Sequence, residues 1–322
     1  MKNLLLGAGV SLALVMSAAA PIAQAAFPDK TITIVVPYPP GGSNDRFARL
    51  VGKGMSDELK VPVVIDNRPG ASGVTGSVQV SKATPDGYTL LVVSSSMTTN
   101  EAVRSRPDFN PATSLAPVAM IARGPFIVAV NPEFPVSDPK GFIEIIKANP
   151  GKYNYASSGV GSSNQFATEL LIMLAGLNAV HVPYKGMAQA TTDLMGGQTQ
   201  ILIASGPSLL PHIRGGKLKP IGVTSPAASA IAPELTSMAS VVPGYSFELW
   251  WGVLAPPATP APIIEVLNRA INKVLAQPEM QTTFLSDGAE AAPMTAAAFG
   301  TQIREDIVRW KDLAKRQNIT VN

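Results

Sequence analysis

Val36-Pro37-Tyr38-Pro39-Pro40-Gly41-Gly42-Ser43-Asn44-Asp45 lies between a β-branched run and a run with helical periodicity. The run from Thr31 to Val36 predicts a strand, and the prolines after it end sheet pairing because they lack backbone donors. Two glycines then expose the backbone, and Ser43, Asn44 or Asp45 is expected to cap the helix that follows. Free amides together with the positive end of a helix dipole predict a loop that suits a carboxylate or a phosphate.

The same arrangement occurs again further along the chain. Tyr153 to Ala156 predicts a strand, Ser157 to Asn164 a loop of small residues, and the apolar positions from Phe166 to Leu174 share one face of a helix. From Lys30 onward, short β-branched runs alternate with helical runs, which indicates an α/β protein. In open α/β sheets, ligands bind near the carboxyl ends of the strands, so both loops are expected at a ligand site.

The first residues have the three zones of a secretory signal peptide. Lys2 is followed by an apolar stretch from Leu4 to Ala20 and then by Ala23-Gln24-Ala25. We expect a signal peptide over residues 1–25, cleavage after Ala25 and a periplasmic location. A membrane anchor is the alternative, but the apolar stretch is short for a bilayer span.

Composition excludes several classes of protein. The chain of 322 residues contains no cysteine, so thiol nucleophiles and cysteine zinc sites are absent. The net charge is +3, and no basic block is interleaved with aromatic residues, which disfavours nucleic-acid binding. The length of the mature chain fits two domains.

If Phe126 to Val130 and Phe247 to Ala255 are the strands that cross between the domains, the ligand lies between them. The predicted boundaries are 26–126 with 248–322 for the first domain and 127–247 for the second.

An exported serine hydrolase is the enzyme alternative. The chain has no G-x-S-x-G elbow, and a catalytic serine would need His181 or His212 within about 3 Å of its Oγ, with a third group to orient the ring. For both histidines we favour a structural or surface role. Trp250 and Trp251 alternate in direction on a predicted strand, so one is expected in the core and the other at the cleft or in solvent.

Several stretches together resemble one family. They are Tyr38 to Asp45, Asp66-Asn67-Arg68-Pro69-Gly70-Ala71-Ser72-Gly73, Pro85 to Leu91, Asn154 to Asn164, His181-Val182-Pro183-Tyr184-Lys185-Gly186, Gly216 to Ser225 and Trp251 to Pro256. In sequence and order they resemble the Bug-type periplasmic solute-binding proteins, which serve tripartite tricarboxylate transporters. The resemblance implies a type II periplasmic binding protein fold, in which two α/β domains joined by two crossing strands close on a ligand like a Venus flytrap.

The resemblance also implies how a ligand is held. Backbone amides and ordered waters of Pro40 to Asn44 and Ser157 to Asn164 would bind the near carboxylate, and more variable side chains would contact the far end. Around Ser205 to Ser208, where many relatives carry an acid or an amide, this chain has only small side chains, which disfavours a ligand with a free ammonium group. The candidate ligand-binding residues are Tyr38, Pro40, Gly41, Gly42, Ser43, Asn44, Ser94, Ser95, Ser157, Ser158, Gly159, Gly161, Ser162, Ser163, Asn164, Tyr184, Ser205 and Ser208.

The expected function is capture of a small mono- or dicarboxylate, aromatic acids included, and its delivery to the membrane permease subunits of a tripartite tricarboxylate transporter. We expect a monomer with no catalytic residues, no metal, no cofactor and no nucleic-acid partner. A binding protein that presents its ligand to a signalling partner uses the same cleft and stays an alternative.

Overall fold

The computed structural model describes residues 27–104 and 108–320, so the predicted signal peptide lies outside the described residues. The strands are β1 (Ile32–Val36), β2 (Val63–Asn67), β3 (Thr89–Ser94), β4 (Ala116–Val130), β5 (Asn154–Ser157), β6 (Val180–Pro183), β7 (Ile201–Ser205), β8 (Lys219–Val223), β9 (Glu248–Ala255) and β10 (Glu290–Ala291). The α-helices are α1 (Ser43–Leu59), α2 (Val74–Ser81), α3 (Ser96–Val103), α4 (Pro139–Ala148), α5 (Ser163–Ala175), α6 (Met187–Met195), α7 (Gly206–Arg214), α8 (Ala261–Leu275), α9 (Pro278–Ser286) and α10 (Ala296–Arg316). The α/β prediction is confirmed.

The ten strands form a sheet in the order β2-β1-β3-β9-β4-β7-β5-β6, with β8 and β10 paired to β4 outside this path. We call β2, β1, β3, β9, β10 and residues 116–125 of β4 the first sheet half, and β8, β7, β5, β6 and residues 126–130 of β4 the second sheet half. Both β2 and β3 run parallel to β1, and both β6 and β7 run parallel to β5. Strands β1 and β5 therefore occupy equivalent places in the two halves, and each leads through a glycine-containing loop into a helix.

Strand β4 joins the two sheet halves. Its pairing with β9 ends at Pro125 opposite Glu248, and its pairing with β7 begins at the next residue, Phe126, opposite Ser205. The buried Thr224 holds this junction, because its Oγ1 accepts from the Phe126 amide at 2.7 Å and donates to the Phe247 carbonyl at 2.6 Å. The change of partners thus falls at Phe126, the first residue of the strand that the sequence predicts as a crossing.

Strand β4 is longer than predicted, since it begins at Ala116 and not at Phe126. Gly124 and Pro125 precede Phe126, and both residue types are unfavourable inside a strand. Two register shifts, at Pro117/Ala119 and Met120/Ala122, accommodate the irregular first part of the strand.

Trp250 and Trp251 are both buried, so the prediction was wrong in its solvent alternative, while Trp251 Nε1 donates to Ser43 Oγ of the first glycine loop at 3.2 Å. Their side chains lie on opposite faces of β9, and each face is covered by a helix. Trp250 packs on Phe299 of α10 and donates to Asp306 at 2.6 Å. Trp251 packs on Phe47 of α1 at a centroid distance of 4.6 Å. Neither indole is exposed to solvent.

No helix within the described residues is both long enough and apolar enough to span a bilayer. The longest, α10, carries charged residues along its outer face and packs against α3, β4 and α5.

Candidate functional site

The loop after β1 presents its backbone without a side-chain cap. Helix α1 begins at Ser43 with Gly42 at the N-cap, and no side chain accepts a hydrogen bond there. The expectation that Ser43, Asn44 or Asp45 caps this helix was therefore wrong, because Gly42 occupies the N-cap position and these three residues already form the first helical turn. Gly41 and Gly42 are exposed, and a Cβ built at either meets no atom within 4 Å. The amides of the first helical turn therefore border open space.

Asp45 stabilises the loop from inside the helix. Its carboxylate accepts from the Gly41 amide at 3.0 Å and also from Arg49 and Asn67. Burial alone would raise the pKa of Asp45, but the hydrogen bonds from Arg49, Gly41 and Asn67 outweigh it and hold the pKa below its ordinary value. The negative charge of Asp45 is thus used within the protein.

The loop after β5 is mostly buried and is bonded within itself. Ser162 caps α5 by accepting from the Gln165 amide, and Gln165 Oε1 accepts from the Gly161 amide at 2.8 Å. Ser158 donates to Asn164 Oδ1 at 2.9 Å, while Asn164 Nδ2 donates to the Ile203 carbonyl. Gly159 and Gly161 have φ angles of +127° and +84°, a region that other residues rarely adopt.

Helix α3 brings the first sheet half against this second loop. Ser96 Oγ lies 3.0 Å from Ser163 Oγ, and a Cβ built at Gly161 would lie 2.6 Å from Val103 Cγ2 and 3.1 Å from Asn100 Oδ1. Within the described residues, the segment 41–44 of the first loop makes no direct hydrogen bond to the second loop. Asn100 is therefore a candidate site residue that the sequence interpretation missed, and Ser96, although part of the serine cluster after β3, was not among the candidate ligand-binding residues. Their only signal was the polar run that continues beyond Ser95.

The remaining candidate residues occupy distinct places. Tyr38 contacts Ser94, and burial raises its pKa to about 12, against the opposing effect of that hydrogen bond. Ser95 Oγ and Asn44 Oδ1 are both buried, and neither has a hydrogen-bond partner among the described residues. Ser205 and Ser208 lie 3.1 Å apart, Oγ to Oγ. Pro40 is exposed at the start of the first loop.

Tyr184 lies beside the second loop through its backbone. Its amide donates to the Ser157 carbonyl at 3.0 Å. Burial raises the pKa of its hydroxyl, and so does a hydrogen bond with Asp193. The hydroxyl is therefore engaged with Asp193 on α6.

The hydrolase alternative meets one of its two requirements. Ser157 Oγ lies 2.6 Å from His181 Nε2, but within the described residues no carboxylate bonds to the imidazole. The ring is instead stacked on Tyr155 at 4.8 Å, and burial lowers the pKa of His181 to about 4. Ser157 is fully buried, and its hydroxyl also contacts Gly159 of its own turn. The pair lacks the orienting group and the access that a nucleophile requires.

Comparison with known proteins decides the family. The family model described as "Tripartite tricarboxylate transporter family receptor" matches residues 47–319. The chain belongs to this family. It is 34% identical over 302 residues to Protein BugT of Bordetella pertussis, with 92% of each chain covered.

Two solved structures that are similar to this chain contain carboxylates. One is Rpa4515 of R. palustris with adipate, which is 31% identical with a TM-score of 0.86 over 91% of this chain and 99% of that one. The other is MatC from Rhodopseudomonas palustris with bound malate, which is 29% identical with a TM-score of 0.80 over 89% and 99% of the two chains. The predicted resemblance and the two-domain periplasmic binding protein fold are confirmed. The protein is a solute-binding protein of the Bug type, a family of receptors and not of enzymes.

Proposed function

We propose that this receptor binds a small organic carboxylate, mono- or dicarboxylate, in a cleft between its two domains and delivers it to the permease subunits of a tripartite tricarboxylate transporter. The observation that carries the proposal is the pair of glycine-containing loops that lead into α1 and α5 at equivalent places in the two sheet halves. Relatives with adipate and malate support the ligand class.

Backbone donors account for carboxylate binding without a dedicated cation. Each charge-assisted hydrogen bond contributes about 1.5–3 kcal/mol, and a helix N-terminus adds about 1 kcal/mol. Against the cost of ordering and association, a few such bonds correspond to roughly micromolar affinity. The candidate ligand-binding residues retain this role in the proposal, and Ser95 is supported by its buried hydroxyl, which can donate and has no partner within the described residues.

The domain boundaries are proposed at 26–126 with 248–322, and 127–247. The change of partners between Pro125 and Phe126 in β4 supports the first boundary, and Glu248 opposite Pro125 supports the second. Export with cleavage after Ala25, a periplasmic location and a monomeric state complete the proposal.

A thermal-shift screen over mono-, di- and tricarboxylates and aromatic acids tests the ligand class. A ligand that binds only the folded protein raises the melting temperature by mass action, by an amount equivalent to about 2.7 kcal/mol at one hundred times Kd. The matched controls are the corresponding amides, which keep the shape and lose the charge. Two outcomes would contradict the proposal. In one, the amides raise the melting temperature as much as the acids do, and in the other, no acid raises it.

Delivery is tested separately. Co-purification of the loaded receptor with the membrane permease subunits is expected, with ligand-free receptor as the control. Capture of a signalling protein in their place would favour the sensor alternative.

A further inference from the structure

The indole of Trp251 reaches the first residue of helix α1. Its Nε1 donates to Ser43 Oγ at 3.2 Å, although the two residues are 208 positions apart in the chain. Trp251 is 1% exposed and packs edge-on against Phe47 of the same helix. Its backbone is paired on both sides, with Ser94 of β3 and with Ala122 of β4. The indole donor is therefore held in place by the core of the protein.

The hydroxyl of Ser43 still has a proton to donate. A hydroxyl has one donor and two acceptor lone pairs, whereas an indole N–H can only donate. Trp251 therefore occupies one lone pair of Ser43 Oγ and excludes the hydroxyl proton from the side that faces the indole. Within the described residues, no acceptor receives that proton. Ser43 is partly exposed and follows Gly41 and Gly42, which border open space, so a molecule from solution can reach the hydroxyl.

A second hydroxyl with an unused proton lies at the same edge of the sheet. Strands β1 and β3 run parallel, so their carboxyl ends share an edge, where Ser43 lies after one strand and Ser95 after the other. Ser95 is 2% exposed, and its Oγ has no partner in the part of the chain that the structure describes. Buried polar atoms are nearly always bonded, which indicates a group that binds here when the site is complete. A carboxylate only accepts hydrogen bonds, so it can take the protons of both hydroxyls and of the free amides that begin α1.

We propose that Trp251 is a positioning residue of the carboxylate site. Its N–H orients the Ser43 hydroxyl so that the hydroxyl proton is donated to an oxygen of the bound carboxylate. The hydrogen bond from the indole also polarises the hydroxyl and makes it a better donor. Without the indole N–H the hydroxyl rotates freely, and ligand binding has to fix its orientation. The inference rests on the proposed carboxylate-binding function.

The test is a double-mutant cycle on the mature protein, measured by titration calorimetry. The probes are adipate, malate and the tightest acid of the thermal-shift screen. Ser43→Ala, which removes the proton, is expected to weaken the tightest of these acids at least about tenfold. Trp251→Phe keeps an aromatic ring against Phe47 and removes the N–H, and a loss of about three- to tenfold is expected. The two changes together should weaken binding no more than Ser43→Ala alone, because the indole acts through the hydroxyl.

Trp250→Phe is the matched control. Trp250 is the neighbouring buried indole on β9, and its Nε1 donates to Asp306 at 2.6 Å on the opposite face of the strand. Gln302 still bonds to Asp306 in this variant. Both tryptophan variants thus lose one buried indole N–H, but only Trp251→Phe should change the dissociation constant by more than about twofold. Thermal unfolding of both variants separates a loss of stability from a loss of affinity.

Two results would overturn the inference. One is wild-type affinity in Ser43→Ala, a result that does not depend on the folding of any tryptophan variant. The other is weakening by Trp251→Phe that is the same with and without the Ser43 hydroxyl, which would assign the indole a purely structural role. In both cases the wild type still binds the acid, so the carboxylate proposal stands. Binding of no carboxylate by the wild type would instead refute the proposed function itself.

Discussion

At the scale of single residues, Gly42 offers a test of the first loop. Its φ of −80° suits any residue, and a Cβ there enters open space. A valine should place its methyl groups in front of the exposed amides. We expect Gly42→Val to weaken carboxylate binding at least tenfold, about 1.4 kcal/mol, with a cost to stability below about 1 kcal/mol from the altered N-cap.

Calorimetry with the best acid from the screen measures the effect of Gly42→Val, and thermal unfolding checks the fold. Gly196→Val is the matched control, because Gly196 is exposed, has a φ of −79° and leaves ordinary contact distance for a Cβ. Unchanged affinity in the Gly42 variant would mean that the ligand lies away from these amides.

His181 makes the stability of the protein depend on pH. Burial lowers its pKa from 6.5 to about 4, so the unfolded chain binds the proton more readily than the folded protein. The stability contributed by the neutral ring is present above pH 6.5 and is lost as the pH falls toward 4. After allowance for partial exposure we expect a loss of about 1–2 kcal/mol over that range.

The measurement compares wild type with His181→Gln in chemical denaturation between pH 7 and pH 4. The glutamine does not titrate but can still bond to Ser157, so the variant should lose less stability on acidification. The partly buried Glu169, whose pKa burial raises, contributes the opposite slope in both proteins and cancels in the difference. Identical slopes would contradict the assignment.

At the scale of elements, the sequence predicted those whose burial pattern is regular. Strand β1, for example, was predicted to within one residue at each end, because its β-branched run is continuous and ends before prolines. Helix α3 was missed, because its buried positions include the polar residues Thr98, Thr99, Asn100 and Glu101. Hydrophobic periodicity cannot detect a helix whose buried face is polar.

Helices α6, α7 and α9 were also missed, and for α7 the reason lies in its residue types. Helix α7 contains Gly206, Pro207 and Pro211, residue types that predict loops, yet Pro207 lies in the first turn, where its missing amide costs nothing. Of the candidate site, the two loops were predictable because each follows a strand. The contact of α3 with the second loop was not, since it depends on how the two sheet halves pack.

Helix α10 links distant parts of the core through Trp310. This side chain is 3% exposed and packs on Phe247 at 4.9 Å and on Phe166 of α5 at 6.0 Å between ring centroids. Its Nε1 has no hydrogen-bond partner in the part of the chain that the structure describes, so truncation removes packing and no hydrogen bond seen there. We expect Trp310→Ala to lower the free energy of unfolding by about 3–5 kcal/mol.

Val308→Ala is the matched control on the same helix, because Val308 is 71% exposed and its truncation should cost less than about 0.5 kcal/mol. Urea denaturation of both variants provides the comparison. A loss below 1 kcal/mol for Trp310→Ala would show that α10 does not hold the two sheet halves together.

At the scale of the whole molecule, two glycines mark where the proposed domains meet opposite the α3 contact. Gly206 begins α7, and Gly288 follows α9 with a φ of +78°. A Cβ at Gly206 would lie 2.7 Å from Gly288 Cα and 2.8 Å from its carbonyl oxygen, distances that real side chains do not reach. Bidentate pairing of Arg46 with Asp287 fixes the backbone beside Gly288, so the backbone on that side cannot easily yield.

Gly206→Ala should therefore hold the two domains slightly apart. Closure on a ligand would then be incomplete, and the ligand would dissociate faster. We therefore expect a severalfold to tenfold loss of carboxylate affinity. Gly206 is not among the candidate ligand-binding residues, so the effect would act through closure. Small-angle X-ray scattering with saturating ligand should give a larger radius of gyration than for the wild type. Gly196→Ala, which has room for a Cβ, is the control. Wild-type affinity and scattering in the Gly206 variant would mean that this contact does not limit closure, and that the α3 contact with the second loop alone determines how far the cleft closes.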